Sequence, residues 1–426
     1  MKLAVTILEE TMEAAIEAIR ALPREHDLVE VRAERFPWID LSAVRAATTK
    51  PIILTYRNTR IPNATEALES GIDFVDLEWR DDVVIDVPER TVLSHHDYDG
   101  MHDVESIWMQ MLARNCAHTK LAATPHDFAD NERLLRLLPN LDHGAGTTAS
   151  TVIGMSERGL YARVLAPFRG SALAFVAGTN IAAPGQLTLA RALDIYSREP
   201  QRGDKVFAIL GNPSGHSLSP SIHNRLFREK RVPAVYTIAS FETFDEVANA
   251  FLGGEPCGLS VTTPFKDEAF AFARRIHAEL GSNARRAGAV NTLVNRGGHI
   301  LADNTDVDGF AALLPHATKA AILGAGGTAR AARVALENAH IPYVQFNRTV
   351  SKADAPLDAL PEFDGDLIIN TLPGGVDVAI PPCRFYIEAA YTATPREVDA
   401  EQRIGGLELL HAQAVRQHQL FMKVFE

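Results

Sequence analysis

Over residues 1 to about 196 the chain alternates short apolar runs of strand length with stretches of helical period. The strand candidates are LAVTIL, LVEVRA, PIILTY, FVDLEW, TVLSHH, TKLAAT, TASTVIGM and LAFVAG. They number about eight, the count of a (β/α)8 TIM barrel. The second half opens with a strand over 207–210. GNPSGHSLSPSIHN then turns on Gly211 and Pro213 and enters a helix near Pro220. GLSVTTPFK, AGAVNTLVN and ILADNTDVDG follow, each read as a strand ending in small polar residues, with Lys266, Asn291 and Asp306 at the ends. Further on, the apolar run AAIL precedes GAGGTARAAR, and GGLELLHAQAVRQHQLF reads as an amphipathic helix.

Between the halves, SREPQRGDK is polar, carries a proline and a glycine, and separates two apolar patterns. It reads as a linker. The expected organisation is α/β throughout: a barrel over 1–197, a linker over 198–205, and a two-part unit over 206–426. In that unit 206–306 and the C-terminal helix form a substrate domain, and 318–390 a Rossmann nucleotide-binding domain.

Composition narrows the partners. The chain has 426 residues, 46% hydrophobic and 23% charged, with a net charge of -12. A chain this acidic without a basic face repels phosphate backbones, which argues against nucleic acid. Cys116, Cys257 and Cys383 are widely spaced and make no C-x-x-C, which fits a reducing compartment and no zinc site. The N-terminal apolar run is too short for a signal peptide or a membrane span. A soluble cytoplasmic protein acting on small molecules, with no membrane partner, is expected.

Polar residues close the barrel strands. Glu30 and Arg32 end the second, Arg57 the third, Glu78 the fourth and His96 the fifth, while Lys120 lies inside the sixth. A lysine buried in an apolar strand is costly to keep charged, so its amine becomes a nucleophile. The alternative is that it snorkels to solvent. His95 and His96 face opposite sides of their strand, and alternation alone does not choose between them.

The motifs EVRAE, TYR, VDLE, SHHD, KLA, MSERGLYAR and APGQL, in that order, make this half resemble type I 3-dehydroquinate dehydratase. The resemblance implies a TIM barrel in which Lys120 forms an imine with the substrate ketone. It selects His96 as general acid/base, with Arg163 and Gln186 holding carboxylate and hydroxyls and Glu30, Arg32, Arg57 and Glu78 completing the pocket. Three departures stand out. Ile61 occupies a place where the family usually has an acid, Ala182 replaces a common serine, and the stretch between Glu78 and His96 is short for a full helix.

In the second half Ser217 and Ser219 flank Leu218, so an extended segment would point both hydroxyls one way. A serine-rich helix entry, with Ser219 as cap, is the alternative. Lys266 and Asp306 could relay a proton to a ketone oxygen as hydride reaches carbon. A plain salt bridge is the competing reading. Gly324, Gly326 and Ala329 after an apolar run form the G-x-G-x-x-G/A turn that cradles a pyrophosphate.

GHSLSPSIHN, SVTTPFK, AGAVNT, DNTDVDG, GAGGTARA and NRT, in order, make this half similar to shikimate dehydrogenase. The resemblance implies Lys266 and Asp306 as the catalytic pair, with Ser217, Ser219, Thr262, Asn291 and Gln413 binding substrate. Ser260 stands where many members have asparagine. The nucleotide loop would be Gly324, Ala325, Gly326, Gly327, Thr328 and Ala329. The next strand ends in Asn347, Arg348 and Thr349, with Lys352 close behind, where an NAD site would carry an acid. A basic end favours a 2′-phosphate, so the cofactor expected is NADP(H). The stretches 351–366 and YTATPREVD are compressed, which predicts a small nucleotide domain.

The two resemblances together predict a bifunctional enzyme that dehydrates 3-dehydroquinate and reduces the resulting 3-dehydroshikimate to shikimate. The rival readings are a silent barrel serving as scaffold, or a dehydrogenase half that prefers quinate or NAD.

Overall fold

The computed structural model describes the chain apart from Pro37, residues 57–63, 139–148, Ala182, 197–202 and 392–395. The chain divides into two compact units, Met1–Lys205 with Phe227–Phe241, and Val206–Leu226 with Glu242–Glu426. The first division falls where the linker was expected to end. The segment Phe227–Phe241, expected in the second half, groups with the first.

The first unit contains β1 (Lys2–Ile7), β2 (Leu28–Arg32), β3 (Ile52–Thr55), β4 (Phe74–Glu78), β5 (Thr91–Asp97), β6 (His118–Ala123), β7 (Ala149–Gly154) and β8 (Leu173–Ala177). Every strand predicted there forms. Their order is β7-β6-β5-β4-β3-β2-β1-β8, each neighbouring pair parallel. At the seam Ala172 N donates to Ser150 O at 2.8 Å and Leu173 N to Thr151 Oγ1 at 3.1 Å, which nearly closes the barrel. Strands covered on both faces read as near-continuous apolar runs, and β3 and β8 are buried at every residue.

Alternate residues point into the lumen. Ala4, Leu28, Ile53, Val92, Ala122, Ile153 and Phe175 pack together there. The same parity places Thr6, Glu30, Thr55, Asp76, Ser94, His96 and Lys120 on the lumen face. Helices start on side-chain caps: Thr11, Asp127 and Thr188 accept from the N–H groups of Ala14, Asp130 and Arg191. Between β4 and β5 the described residues form only the 3-10 turn Pro88–Arg90, as the short spacing predicted.

The second half contains β9 (Lys205–Gly211), β10 (Ala234–Ser240, within the segment grouped with the barrel), β11 (Gly258–Val261), β12 (Glu279–Leu280), β13 (Thr292–Arg296) and β14 (His299–Asp303). β11 runs parallel to β9 and antiparallel to β13, and β12 runs parallel to β14. β13 and β14 form a hairpin turning on Gly297 and Gly298, at φ +60° and +100°. Positive φ at both central residues matches the right-handed strand twist. Three expectations shift here. Lys266 opens the helix Lys266–Arg275, Asn291 precedes its strand rather than ending it, and Asp306 lies in the first turn of the helix Thr305–Leu313.

A third sheet comprises β15 (Ala320–Leu323), β16 (Tyr343–Asn347), β17 (Ala355–Pro356), β18 (Leu367–Asn370), β19 (Cys383–Glu388) and β20 (Ala400–Ile404). It is parallel, in the order β17-β16-β15-β18-β19-β20. The order reverses beside β15, the switch point where open α/β sheets bind ligands. The helix Gly327–Asn338 packs Ala331 and Ala335 on the face of Ala320 and Ile322. Leu360, from the 3-10 segment Leu357–Glu362, packs on the other face with Ala321 and Leu323. Among the described residues no α-helix lies between β16 and β18 or between β19 and β20. Because β20 joins this sheet, the domain runs past residue 390.

Candidate active sites

Deep in the barrel, Lys120 Nζ lies 3.0 Å from Asp76 Oδ2 and 3.3 Å from Glu30 Oε1, and 4.1 Å from the centre of the Phe175 ring. The residue is 3% exposed, so it does not snorkel. It does not stand among apolar groups alone, however, as the strand pattern had suggested. Two buried carboxylates meet the ammonium, one from each of two other strands. Glu30 is itself held by Thr6 Oγ1 at 2.7 Å and Thr55 Oγ1 at 3.0 Å. Burial pushes the Glu30 carboxyl up, but Lys120 and Arg32 outweigh it and bring it to about 2.

Toward the mouth, His96 Nδ1 lies 2.9 Å from Glu78 Oε2, and the His96 backbone N–H donates to Glu78 Oε1 at 2.8 Å. One carboxylate therefore fixes both the ring and its strand. Ser94 Oγ lies 2.6 Å from Asp76 Oδ1 and 3.3 Å from Glu78 Oε2, between the lysine's partner and the histidine's. Below Lys120, burial holds His118 neutral, its pKa brought down to about 3.

The other predicted barrel residues divide. Gln186 Nε2 donates to Thr6 Oγ1 at 3.3 Å and so joins the cluster through Glu30's partner. Arg32 pairs with Glu34 at 2.5 Å. Arg163 is buried on the helix Leu160–Leu165 and donates from Nε to Gly154 O at 2.8 Å, at the end of β7. Burial draws its guanidinium down to about 10. Arg57, Ile61 and Ala182 lie outside the described residues. Asp76, Ser94, Thr6 and Thr55 were not singled out from the sequence. The signal was present: Asp76 and Ser94 each lie two positions before a predicted site residue on the same strand, hence on the same face.

In the second unit Lys266 Nζ lies 2.6 Å from Asp306 Oδ2 and 3.3 Å from Thr328 Oγ1. The predicted pair forms, and a hydroxyl of the glycine loop reaches it. Asn291 Nδ2 donates to Asp306 Oδ1 at 2.9 Å, while Asn291 Oδ1 accepts from Thr305 N at 2.8 Å. Asn291 thus fixes the helix start that carries Asp306. Thr305 Oγ1 donates to Gln413 Oε1 at 3.0 Å. Gly309 permits this approach, since a Cβ there would lie 2.9 Å from Gln413 Cβ. Ser217 and Ser219 are buried, and Ser217 Oγ accepts from Ser219 N at 3.2 Å, a local cap at the helix entry. Thr262 is half-buried beside Gly211, where an added Cβ would lie 2.4 Å from Thr262 Cγ2.

Gln417 was missed. Its Oε1 accepts from Ser260 Oγ at 2.6 Å, and its Nε2 donates to Thr292 Oγ1 at 2.8 Å and Asn291 O at 3.2 Å. Ser260, in place of the family's asparagine, is therefore bonded to the C-terminal helix. One helical turn after Gln413, Gln417 could have been found by its spacing.

The nucleotide loop fits the group expected of it. Gly324 adopts φ +110°, and a Cβ there would lie 2.6 Å from Thr371 Oγ1. Gly326 has open space around its Cβ position and caps the helix Gly327–Asn338, whose N-terminus is the kind of helix end that binds a diphosphate. Arg348 and Lys352 are exposed beyond the end of β16, and Asn347 Nδ2 donates to Thr349 O at 3.3 Å. Among the described residues no cluster suits a metal ion, and no helix is long and apolar enough to cross a membrane.

A parallel barrel with a buried lysine and a carboxylate-held histidine, followed by a lysine–aspartate pair beside a dinucleotide turn, defines a lyase joined to a nicotinamide-dependent oxidoreductase. Residues 3–201 match the family model of type I 3-dehydroquinase, and residues 209–293 that of the shikimate dehydrogenase substrate binding domain. The chain belongs to the fused dehydroquinase–shikimate dehydrogenase enzymes of the shikimate pathway. It is 29% identical to the shikimate biosynthesis protein AroDE of Chlamydia pneumoniae, over 94% of this chain and 91% of that protein. It is 27% identical to the chloroplastic bifunctional 3-dehydroquinate dehydratase/shikimate dehydrogenase of Arabidopsis thaliana, over 79% of this chain and 63% of that protein. It is 30% identical to the pentafunctional AROM polypeptide of Zygosaccharomyces rouxii, over 80% of this chain but 24% of that much longer protein. Among solved structures, the dehydroquinate dehydratase and shikimate dehydrogenase of S. pombe AroM is 23% identical, with a TM-score of 0.42 over 100% of this chain and 98% of that one.

Proposed function

We propose that the barrel dehydrates 3-dehydroquinate through an imine on Lys120, and that the second unit reduces the product, 3-dehydroshikimate, to shikimate with NADPH. The observation that carries this reading is that each unit holds a shielded lysine within hydrogen-bond reach of a carboxylate.

In the barrel, Lys120 must shed a proton before its lone pair attacks the ketone, and Asp76 and Glu30 are the acceptors within reach. The carbonyl oxygen leaves as water, and the protonated imine draws electrons from the adjacent carbon. His96, oriented by Glu78, then takes the proton from that carbon and returns one to the departing hydroxyl, and water hydrolyses the imine to restore the ketone and free Lys120. Arg163, Gln186, Glu30, Arg32 and Arg57 bind the carboxylate and hydroxyls of the substrate.

In the second unit NADPH supplies the hydride when bound. Lys266 delivers a proton to the ketone oxygen and Asp306 holds the lysine for that transfer. Ser217, Ser219, Thr262, Asn291 and Gln413 surround the substrate. Gly324 to Ala329 cradle the diphosphate, and Arg348 and Lys352, with Asn347 and Thr349, receive the 2′-phosphate.

The test is a coupled assay in which 3-dehydroquinate and NADPH are supplied together and nicotinamide absorbance is followed. Consumption requires both sites, and Lys120→Ala and Lys266→Ala should each abolish it. With 3-dehydroshikimate supplied directly, Lys120→Ala should be as active as the parent chain. Borohydride should trap a 3-dehydroquinate adduct on Lys120; an intact enzyme that forms none would reduce the barrel to a scaffold.

A further inference from the structure

Ser94 occupies a place in the barrel that neither reacting group accounts for. It lies on β5 two residues before His96, fully buried at 0% exposure, with its hydroxyl on the lumen face. Asp76 and Glu78 sit two residues apart on β4, facing the same way. Asp76 Oδ2 receives Lys120 at 3.0 Å, and Glu78 Oε2 lies 2.9 Å from His96 Nδ1. Ser94 Oγ lies 2.6 Å from Asp76 Oδ1 and 3.3 Å from Glu78 Oε2. Ser94 Oγ carries one proton, which goes to Asp76 at the shorter distance and leaves Glu78 the longer contact, so the residue stands between the lysine's carboxylate and the histidine's. We propose that Ser94 is a positioning residue that couples the lysine to the histidine and holds the two carboxylates in register while the lysine is covalently occupied.

The physical need arises from donor counts. As an ammonium, Lys120 has three N–H donors to share between Asp76 and Glu30; as a protonated imine it has one. In the covalent intermediate the lysine nitrogen can serve only one of the two carboxylates; Glu30 keeps the hydroxyls of Thr6 and Thr55, and Asp76 keeps that of Ser94. Two neighbouring carboxylates on one strand face also repel, and a buried acceptor left unmatched is costly. The Ser94 hydroxyl is a donor to Asp76 that does not depend on the state of Lys120. While it holds Asp76, Asp76 does not swing toward Glu78, and Glu78 keeps His96 aimed at the carbon that loses its proton. The coupling acts after imine formation, so its loss should slow turnover rather than weaken binding.

This proposal rests on the assignment of Lys120 and His96 as the reacting groups, and the experiment separates the two. Ser94→Ala and Ser94→Cys, the latter near in size with a weaker donor, are made in the full chain and followed with 3-dehydroquinate. For Ser94→Ala the dehydration kcat should fall about 10- to 100-fold, the cost of slight misplacement of a reacting group. KM should stay within about twofold, the borohydride adduct on Lys120 should persist, and Ser94→Cys should fall between Ser94→Ala and the parent. Combining Ser94→Ala with Glu78→Gln should cost little beyond the worse single change, because both break one path. An adduct formed with unchanged kcat in both Ser94 variants, or losses that multiply in the double variant, would overturn the coupling alone. Absence of any adduct in the parent chain would remove the reading on which it rests.

Discussion

Lys120 and Lys266 are both lysines paired with acids, but their surroundings differ as the tasks proposed for them require. Lys120 is 3% exposed in a lumen and touches two carboxylates held by buried hydroxyls. The Lys266 side chain is 13% exposed on the first turn of a helix and touches one carboxylate, with a hydroxyl from the nucleotide loop beside it. A nucleophile that becomes covalently bound gains from a walled site that excludes water and fixes its direction of attack. A lysine that only passes a proton must stay open to both substrate and cofactor. Rigidity follows the same division. The barrel lysine is framed by strands in parallel register, whereas Asp306 depends on a network of Asn291, Thr305 and Gln413 that ties three elements together.

The sharpest way to break this comparison is to replace each lysine with arginine. A guanidinium keeps its charge and donors but cannot be deprotonated to form an imine. Lys120→Arg should therefore lower dehydration by roughly 10^4-fold or more. Lys266→Arg can still steady a developing oxyanion and should lose about 10- to 100-fold in reduction. Single-substrate assays of each half measure both, and equal losses would mean that the two lysines do the same work.

A smaller effect is expected at the cofactor end of the second unit. Arg348→Asp should shift the preference for NADPH over NADH by about 10- to 100-fold, the worth of a charge-assisted hydrogen bond. Initial rates with each cofactor decide it, and equal losses with both would separate Arg348 from the 2′-phosphate.

The last test concerns stability against pH rather than rate and treats the halves alike. His118 in the barrel and His223 in the second unit are each held at about 3 from 6.5, mainly by burial. Each takes up a proton on unfolding between those values. The stability each contributes is therefore complete above pH 6.5 and is lost as pH falls toward 3, at about 1.4 kcal/mol per pH unit per histidine. Urea titrations across that range should show the loss, and His118→Gln, which can still bond Thr151, should flatten it. An unchanged slope would mean that His118 is protonated in the folded barrel.

The barrel strands, the glycine turn and the lysine inside the sixth strand were legible in the sequence because each is local. A period of two, an apolar run before Gly324, or a lysine inside an apolar strand is visible within a few residues. The shortened stretches before His96 and after Ser351 were legible too, since there is too little chain for a helix. Tertiary structure alone decided which lumen layer each polar residue shares. Asp76 meets Lys120 from 44 positions away and Glu30 from 90, and a period of two says which face a side chain takes but not which strand lies opposite. The same holds for Thr305 and Gln413, 108 positions apart, and for Ser260 and Gln417, 157 apart. The glycine turn was read as a phosphate cradle; only the fold brought Thr328 of that turn to Lys266. Local pattern selects the residue types and the faces they occupy, and the packing of distant strands and helices determines which of them meet.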